Sequence, residues 1–141
     1  MLSQTAEYAL RACLELARRG DAEPVRVDDI ARTLDVPRNY LSKILHELGR
    51  AGLLDSTRGP RGGFQLASPP EKITLARIVG HFDPEFLSEE GRCILGRMRC
   101  SDRDPCAAHH SWKDVAVKMQ AFFRGTTLAD LATSPAPEPV R

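Results

Sequence analysis

Apolar residues recur at helical spacing from the start of the chain. Ala6, Leu10, Cys13, Leu14 and Ala17 share one face of a helix predicted over 4–19, which Ser3 can cap and Gly20 ends. Cys13 falls within that stripe and reads as a core thiol. After a polar loop over 21–26, "DDIARTL" (28–34) predicts a short helix. Ile30, Ala31 and Leu34 point inward, and two acids sit in the first turn, where the helix dipole favours negative charge. "DVP" breaks it, and Pro37 suits the first position of the next helix, where a missing N–H costs nothing. There Leu41, Ile44, Leu45 and Leu48 form the inward stripe, leaving Arg38, Asn39, Ser42, Lys43 and His46 outside. Gly52 stops this helix.

The period then changes. "LLDSTRGPRGGFQLA" predicts two short strands, about 53–58 and 63–67, around a tip of Gly59, Pro60, Arg61, Gly62 and Gly63. Beyond the linker "SPPEK", Thr74 can cap a short helix over 75–82 with Leu75, Ile78, Val79 and Phe82 inward. Residues 83–105 read as mostly loop, a length that marks function or disorder in a small domain. Pro105 is expected to open a helix running to about 124, with Trp112, Val115, Ala116, Met119, Phe122 and Phe123 on one strip. A lone amphipathic helix must bury that strip, so Trp112, Val115, Met119, Phe122 and Phe123 are expected to form a dimer interface. "TTLADLA" adds a final helical turn or two. The fold class is mainly α: a winged helix-turn-helix with a small β-hairpin wing, plus a long C-terminal dimerisation helix.

Charge sharpens this picture locally. The 141-residue chain has a net charge of only +1, so no overall basic field marks a nucleic-acid partner. Between Val36 and Leu66, however, five Arg or Lys face two acids, an excess of three positive charges. Such groups release counterions from phosphates, and a recognition helix places its N-terminal residues at base edges in the major groove. Arg38, Asn39, Tyr40, Ser42 and Lys43, with Arg58, Arg61 and Gly62 of the wing, are therefore the predicted contacts to double-stranded DNA. A solvated basic surface or a protein-interaction module is the bland alternative. No run is apolar enough to span a membrane, and the N-terminus lacks a signal-peptide pattern, so a cytoplasmic protein with no membrane partner is expected. No nucleophile–base pair, phosphate loop or paired-carboxylate signature appears. The chain reads as no enzyme, with no small-molecule substrate.

"CILGRMRCSDRDPCAAHH" holds three of the four cysteines and two of the four histidines. In a reducing cytoplasm such clustering points to metal or redox chemistry rather than a structural disulfide. The spacing Cys93-x6-Cys100-x5-Cys106-x2-His109 lacks the tight pair of zinc knuckles, and its long gaps suit a loop wrapping a larger thiolate-bound group such as an iron–sulfur cluster. Three cysteines leave one position for another donor, and His109 lies within one helical turn of Cys106. A structural zinc, a metal-free thiol switch and inert surface cysteines are the competing readings. His110 reads as a solvated neighbour, and His46 and His81 as surface or capping residues.

These residues together resemble the winged-helix repressor family of the cluster-assembly regulator IscR and the nitric oxide sensor NsrR. The match runs from "EYALRACLELA" to "TTLADLA", carried most specifically by "NYLSKILHELGRAGLLDSTRGPRGGFQLA" and the three-cysteine loop before a long helix. The resemblance implies homodimers on inverted-repeat operators, and a cluster held by Cys93, Cys100 and Cys106, with [2Fe–2S] favoured over [4Fe–4S]. In the IscR-like branch the fourth ligand is a histidine three residues past the last cysteine, the place of His109. In the NsrR-like branch it is an aspartate of the partner subunit's first helix, where this chain has Glu7; that residue also suits an i,i+4 pair with Arg11. Both branches commonly have five residues between the first two cysteines, against six here. The expected organisation is a winged helix-turn-helix over 1–68, a linker and short helix over 69–90, a cluster-binding loop over 91–109, the dimerisation helix and last turn over 106–132, and a disordered tail over 133–141. The expected function is a dimeric regulator, read as a repressor, whose DNA binding follows the cluster and so senses cluster supply, nitric oxide or redox state.

Overall fold

The computed structural model describes residues 2–20, 22–88, 93–96 and 99–133. The tail predicted over 133–141 lies outside the described residues from position 134 on. Six α-helices and one hairpin follow in order among the described residues: α1 (Gln4–Arg19), α2 (Val27–Leu34), α3 (Arg38–Arg50), β1 (Leu54–Thr57), β2 (Gly63–Leu66), α4 (Leu75–Phe82), α5 (His109–Gly125) and α6 (Leu128–Ala132). Short 3-10 turns at Pro70–Lys72 and Pro84–Leu87 interrupt stretches expected to be linker and loop. No helix among the described residues is long and apolar enough to cross a membrane.

Helix α1 begins where expected. The Ser3 hydroxyl accepts from the Ala6 N–H, and Gly20 closes the helix in the left-handed conformation. Its buried face is rotated from the predicted one. Ala6, Ala9, Ala12, Cys13 and Leu16 are buried, whereas Leu10, Leu14 and Ala17 are half-buried flanks of the core. The cause is packing from several directions. Helices α2, α3, α4 and α6 all contact α1, and the small alanines sit where neighbours approach most closely.

The second and third helices form the helix-turn-helix. Asp35 turns the chain with φ 53°, and α3 starts at Arg38, so Pro37 is its N-cap rather than its first helical residue. Leu41, Ile44, Leu45 and Leu48 are buried as predicted. The antiparallel hairpin pairs Leu54 with Leu66 and Thr57 with Gly63. A single bridge from Val25 extends it beside β2: the Val25 N–H donates to the Phe64 carbonyl and its carbonyl accepts from the Phe64 N–H, both at 2.8 Å. That close approach explains the glycines: a Cβ on Gly63 would lie 2.2 Å from the Val25 oxygen, and one on Gly62 2.2 Å from the Thr57 oxygen.

The C-terminal half closes over the same core. Thr74 caps α4, and a bridge joins Thr74 to Thr127, with the Leu75 N–H donating to the Thr126 carbonyl and the Leu128 N–H to the Ile73 carbonyl. Leu128 is fully buried, and a Thr127–Asp130 capping box starts α6. Helix α5 begins at His109, not Pro105. Residues 105–108 turn instead, and the Cys106 carbonyl accepts from the His109 N–H at 3.0 Å. Phe123 corrects the predicted dimer strip. It is buried in the chain's own core with its ring 5.3 Å from that of Phe86. One residue of helix is 100° of rotation, so Phe122 points away and is 51% exposed. Val115 is exposed, and Trp112 and Met119 are half-buried.

Leu45 is fully buried within this core. Leu45→Ala is expected to lower the unfolding free energy by about 2–5 kcal/mol, measured by urea denaturation; a change below about 1 kcal/mol would show that the site collapses around the lost volume.

Candidate functional site

Two sites emerge, one on α3 and the wing, the other where the cysteine loop meets α5. On α3, Arg38, Asn39, Lys43 and His46 are exposed and Ser42 is half-buried. Arg38 is not loose: its Nε donates to the Asp28 carboxylate on α2, which leaves the two terminal nitrogens outward. Tyr40 is half-buried. Its hydroxyl hydrogen-bonds the Thr5 hydroxyl, and its ring meets Tyr8 edge-on at 5.7 Å, so it ties α3 to α1. His46 joins α3 to the wing, with its ring edge-on to Phe64 at 5.3 Å. Arg58 and Arg61 are exposed on the wing, and Gly62 is half-buried beneath them. Arg61 shares a cleft with Arg19 and Arg26, two cations that lie earlier in the chain, and with the acids Glu23 and Asp29.

In the loop, the four predicted donors come together as two pairs. Cys93 Sγ stands 3.4 Å from Cys106 Sγ, and Cys100 Sγ 3.2 Å from His109 Nδ1. Cys93 and His109 are buried, while Cys100 and Cys106 are half-buried. The pairs are neighbours. Partial burial pushes the Cys100 thiol pKa up, and the nearby Cys93, Cys106 and Asp102 charges push it further, opposed by Lys113. Among the described residues no three Cys, His, Asp or Glu side chains close on one point that could hold a single metal ion. Gly96, at φ 84°, turns the chain after Cys93 by donating its N–H to the Cys93 carbonyl at 2.9 Å.

Two further residues complete the cluster, and sequence reading missed both. Asp102 Oδ1 lies 2.7 Å from His109 Nε2, and Lys113 Nζ donates to both Asp102 oxygens at 2.8 Å. Those hydrogen bonds, Lys113 first and then His109, hold the Asp102 carboxyl down at about pKa 2. The signal was present: Lys113 is four residues past His109, on the same side of α5. Farther along, the buried Gln120 side chain donates to the Ser88 carbonyl and Arg124 to the Leu87 carbonyl, anchoring the chain before the cysteines to α5. His110 is exposed beside His109. Glu7 is also exposed, 3.9 Å from Arg11 on α1.

The comparisons with known proteins bear on both sites. Residues 2–134 match the Rrf2 family model, described as an iron-dependent transcriptional regulator. The chain belongs to the Rrf2 family. It is therefore a transcriptional regulator, and its relatives carry regulator names rather than enzyme names. An HTH-type transcriptional regulator of Aquifex aeolicus is 41% identical over 133 residues, covering 93% of this chain and 90% of that one. The HTH-type transcriptional regulator IscR of Escherichia coli is 29% identical, covering 94% of this chain and 80% of its own length. Among solved structures, CymR, the global cysteine regulator of B. subtilis, superposes with a TM-score of 0.79 at 26% identity, over 94% of this chain and 96% of that one. The mainly helical architecture with its two-stranded wing is thus that of winged-helix regulators.

Cys13 differs from Cys100 and Cys106 in its burial. It is fully buried in α1, and burial pushes its thiol up to about pKa 12. In the metal-free protein at pH 8, iodoacetamide is expected to modify Cys100 and Cys106 at least roughly a hundredfold faster than Cys13. Peptide mass mapping reads this directly, and equal labelling would show that α1 opens on that timescale.

Proposed function

We propose that the chain is a homodimeric, cytoplasmic, DNA-binding repressor whose operator occupancy follows an iron–sulfur cluster held by Cys93, Cys100, Cys106 and His109. The observation that carries this reading is the pairing of the donors. Two thiolates on one tetrahedral metal stand about 3.8 Å apart when each metal–thiolate bond is about 2.3 Å. Separations of 3.4 Å and 3.2 Å in two adjacent pairs suit a two-iron group with two protein donors per iron. They suit a single zinc less well, since that ion needs all four donors around one point, and a four-iron cluster less well, since it spreads one donor to each corner. His109 is favoured over the partner subunit's Glu7 because its Nδ1 already stands beside Cys100.

When bound, such a cluster supplies one-electron redox chemistry and a charge that changes with its state. The chain's own residues carry that change outward. His109 is the first residue of α5, and α5 also bears the exposed Val115 and Phe122 proposed for the dimer contact. A cluster can alter operator affinity only if it favours one arrangement of the two reading heads over the other. At the DNA, Asn39, Ser42, Lys43 and the outward nitrogens of Arg38 suit base edges in the major groove, and Arg58 and Arg61 suit the phosphates or minor groove beside the wing. A second reading keeps the same regulator without metal. The Cys93 and Cys106 sulfurs need close only from 3.4 Å to about 2.0 Å to form a disulfide, with two electrons and two protons passing to an external oxidant.

Anaerobic purification followed by native mass spectrometry and visible absorption tests the choice. A [2Fe–2S] increment per subunit supports the cluster, whereas a bare mass that falls by two hydrogens on oxidation supports the thiol switch. Cys100→Ala is expected to abolish cluster binding and change operator affinity by about tenfold or more, within the usual range of allosteric coupling. Equal affinity of the loaded and empty proteins would remove the sensor. Arg61→Ala is expected to weaken operator binding and reduce the slope of log K against log salt by about 1. An unaltered slope would take Arg61 out of the phosphate contacts.

A further inference from the structure

Asp102 and Lys113 stand outside the proposed donor set, yet both are built onto it. His109 is only 3% exposed, so its ring nitrogens must find their partners within the protein. Nε2 faces Asp102 Oδ1 at 2.7 Å. An ionised carboxylate only accepts, so Nε2 carries the proton and donates it. In the neutral ring that leaves a lone pair on Nδ1, 3.2 Å from Cys100 Sγ. The Asp102 side chain itself is 70% exposed and would be free to swing into solvent. Lys113 prevents this by gripping both carboxylate oxygens from the next turn of the helix that His109 starts.

We propose that Asp102, clamped by Lys113, is a positioning residue that holds His109 in the Nε2–H tautomer and so turns the Nδ1 lone pair toward the cluster-binding thiolates. This rests on the cluster reading above. Its physical basis is that a histidine ligand's remote nitrogen, once hydrogen-bonded to a carboxylate, fixes both the ring's orientation and which nitrogen is free to bind. Asp102 touches no reacting atom; it acts through His109. Lys113 acts one step further out, by restricting Asp102.

The test reads the tautomer on the iron-free, full-length chain, so it does not depend on cluster loading. Long-range proton–nitrogen correlation spectra of ¹⁵N-labelled protein distinguish the Nε2–H, Nδ1–H and doubly protonated forms of each histidine. The wild type is expected to show His109 as Nε2–H. Asp102→Ala should lose that preference, Asp102→Glu should restore it, and Lys113→Met should lose part of it. Unchanged signals from His46 and His81 would show that each variant is folded. A wild-type His109 that is Nδ1–H or doubly protonated at neutral pH, or one indifferent to Asp102→Ala, would overturn the proposal. The same proteins are then loaded anaerobically with ferrous iron and sulfide. Asp102→Ala is expected to hold iron about 10–100-fold more weakly and at a shifted reduction potential, with Asp102→Glu recovering both. A wild type that takes up no iron would defeat the cluster reading alone, because the tautomer spectra still decide what Asp102 does.

Discussion

Helix α1 has no face to spare along Ala6, Ala9, Ala12, Cys13 and Leu16, because α2 and α3 pack on it from one part of the chain and α4 and α6 from another. This shared burial joins α2 and α3 to the C-terminal half in one continuous core. Close-packed interiors transmit displacement instead of absorbing it. A shift of α4 or α6 is therefore felt at α1, and through it at α3. Tyr40, hydrogen-bonded to Thr5 and edge-on to Tyr8, adds a tie along the same route.

The loop between α4 and α5 is held in two ways. Its Phe86 and Leu87 pack on the core, and directed polar contacts hold the described residues on either side of the cysteines. Gln120 and Arg124 hold its beginning against α5, and the Asp102–Lys113 pair holds its end. Exposed ion pairs contribute little to stability in general. Here the pair matters through geometry, since it restricts a carboxylate that in turn orients a buried histidine. The same side chains that hold the loop therefore stand beside the Cys100–His109 pair.

Much of this was legible along the chain. Caps at Ser3 and Thr74, the leucine stripe of α3 and the glycine-rich wing are local signals, set by backbone hydrogen-bonding needs and helical period, and the structure reproduces them. The crowding of Cys93, Cys100, Cys106 and His109 is likewise plain in the sequence, and the structure brings them together in two pairs. Where the reading slipped, the cause was tertiary. The stripe of α1 came out rotated because several neighbours pack on that helix, and a single-face pattern assumes one. Phe123 was assigned to the dimer strip because helical spacing alone does not know that Phe86 returns to meet it.

The sequence by itself determined the element types, the excess of basic residues on α3 and the wing, and the identity of the metal-capable residues, since each follows from composition and spacing over a few turns of chain. Only the tertiary structure decided how those residues pair. Whether Cys106 faces Cys93 or His109, and whether a carboxylate stands behind the imidazole, depends on a turn at 105–108 and on contacts between residues brought together by the packing of α5. Local spacing carries no information about such contacts, because they are chosen by which surfaces the whole fold must bury.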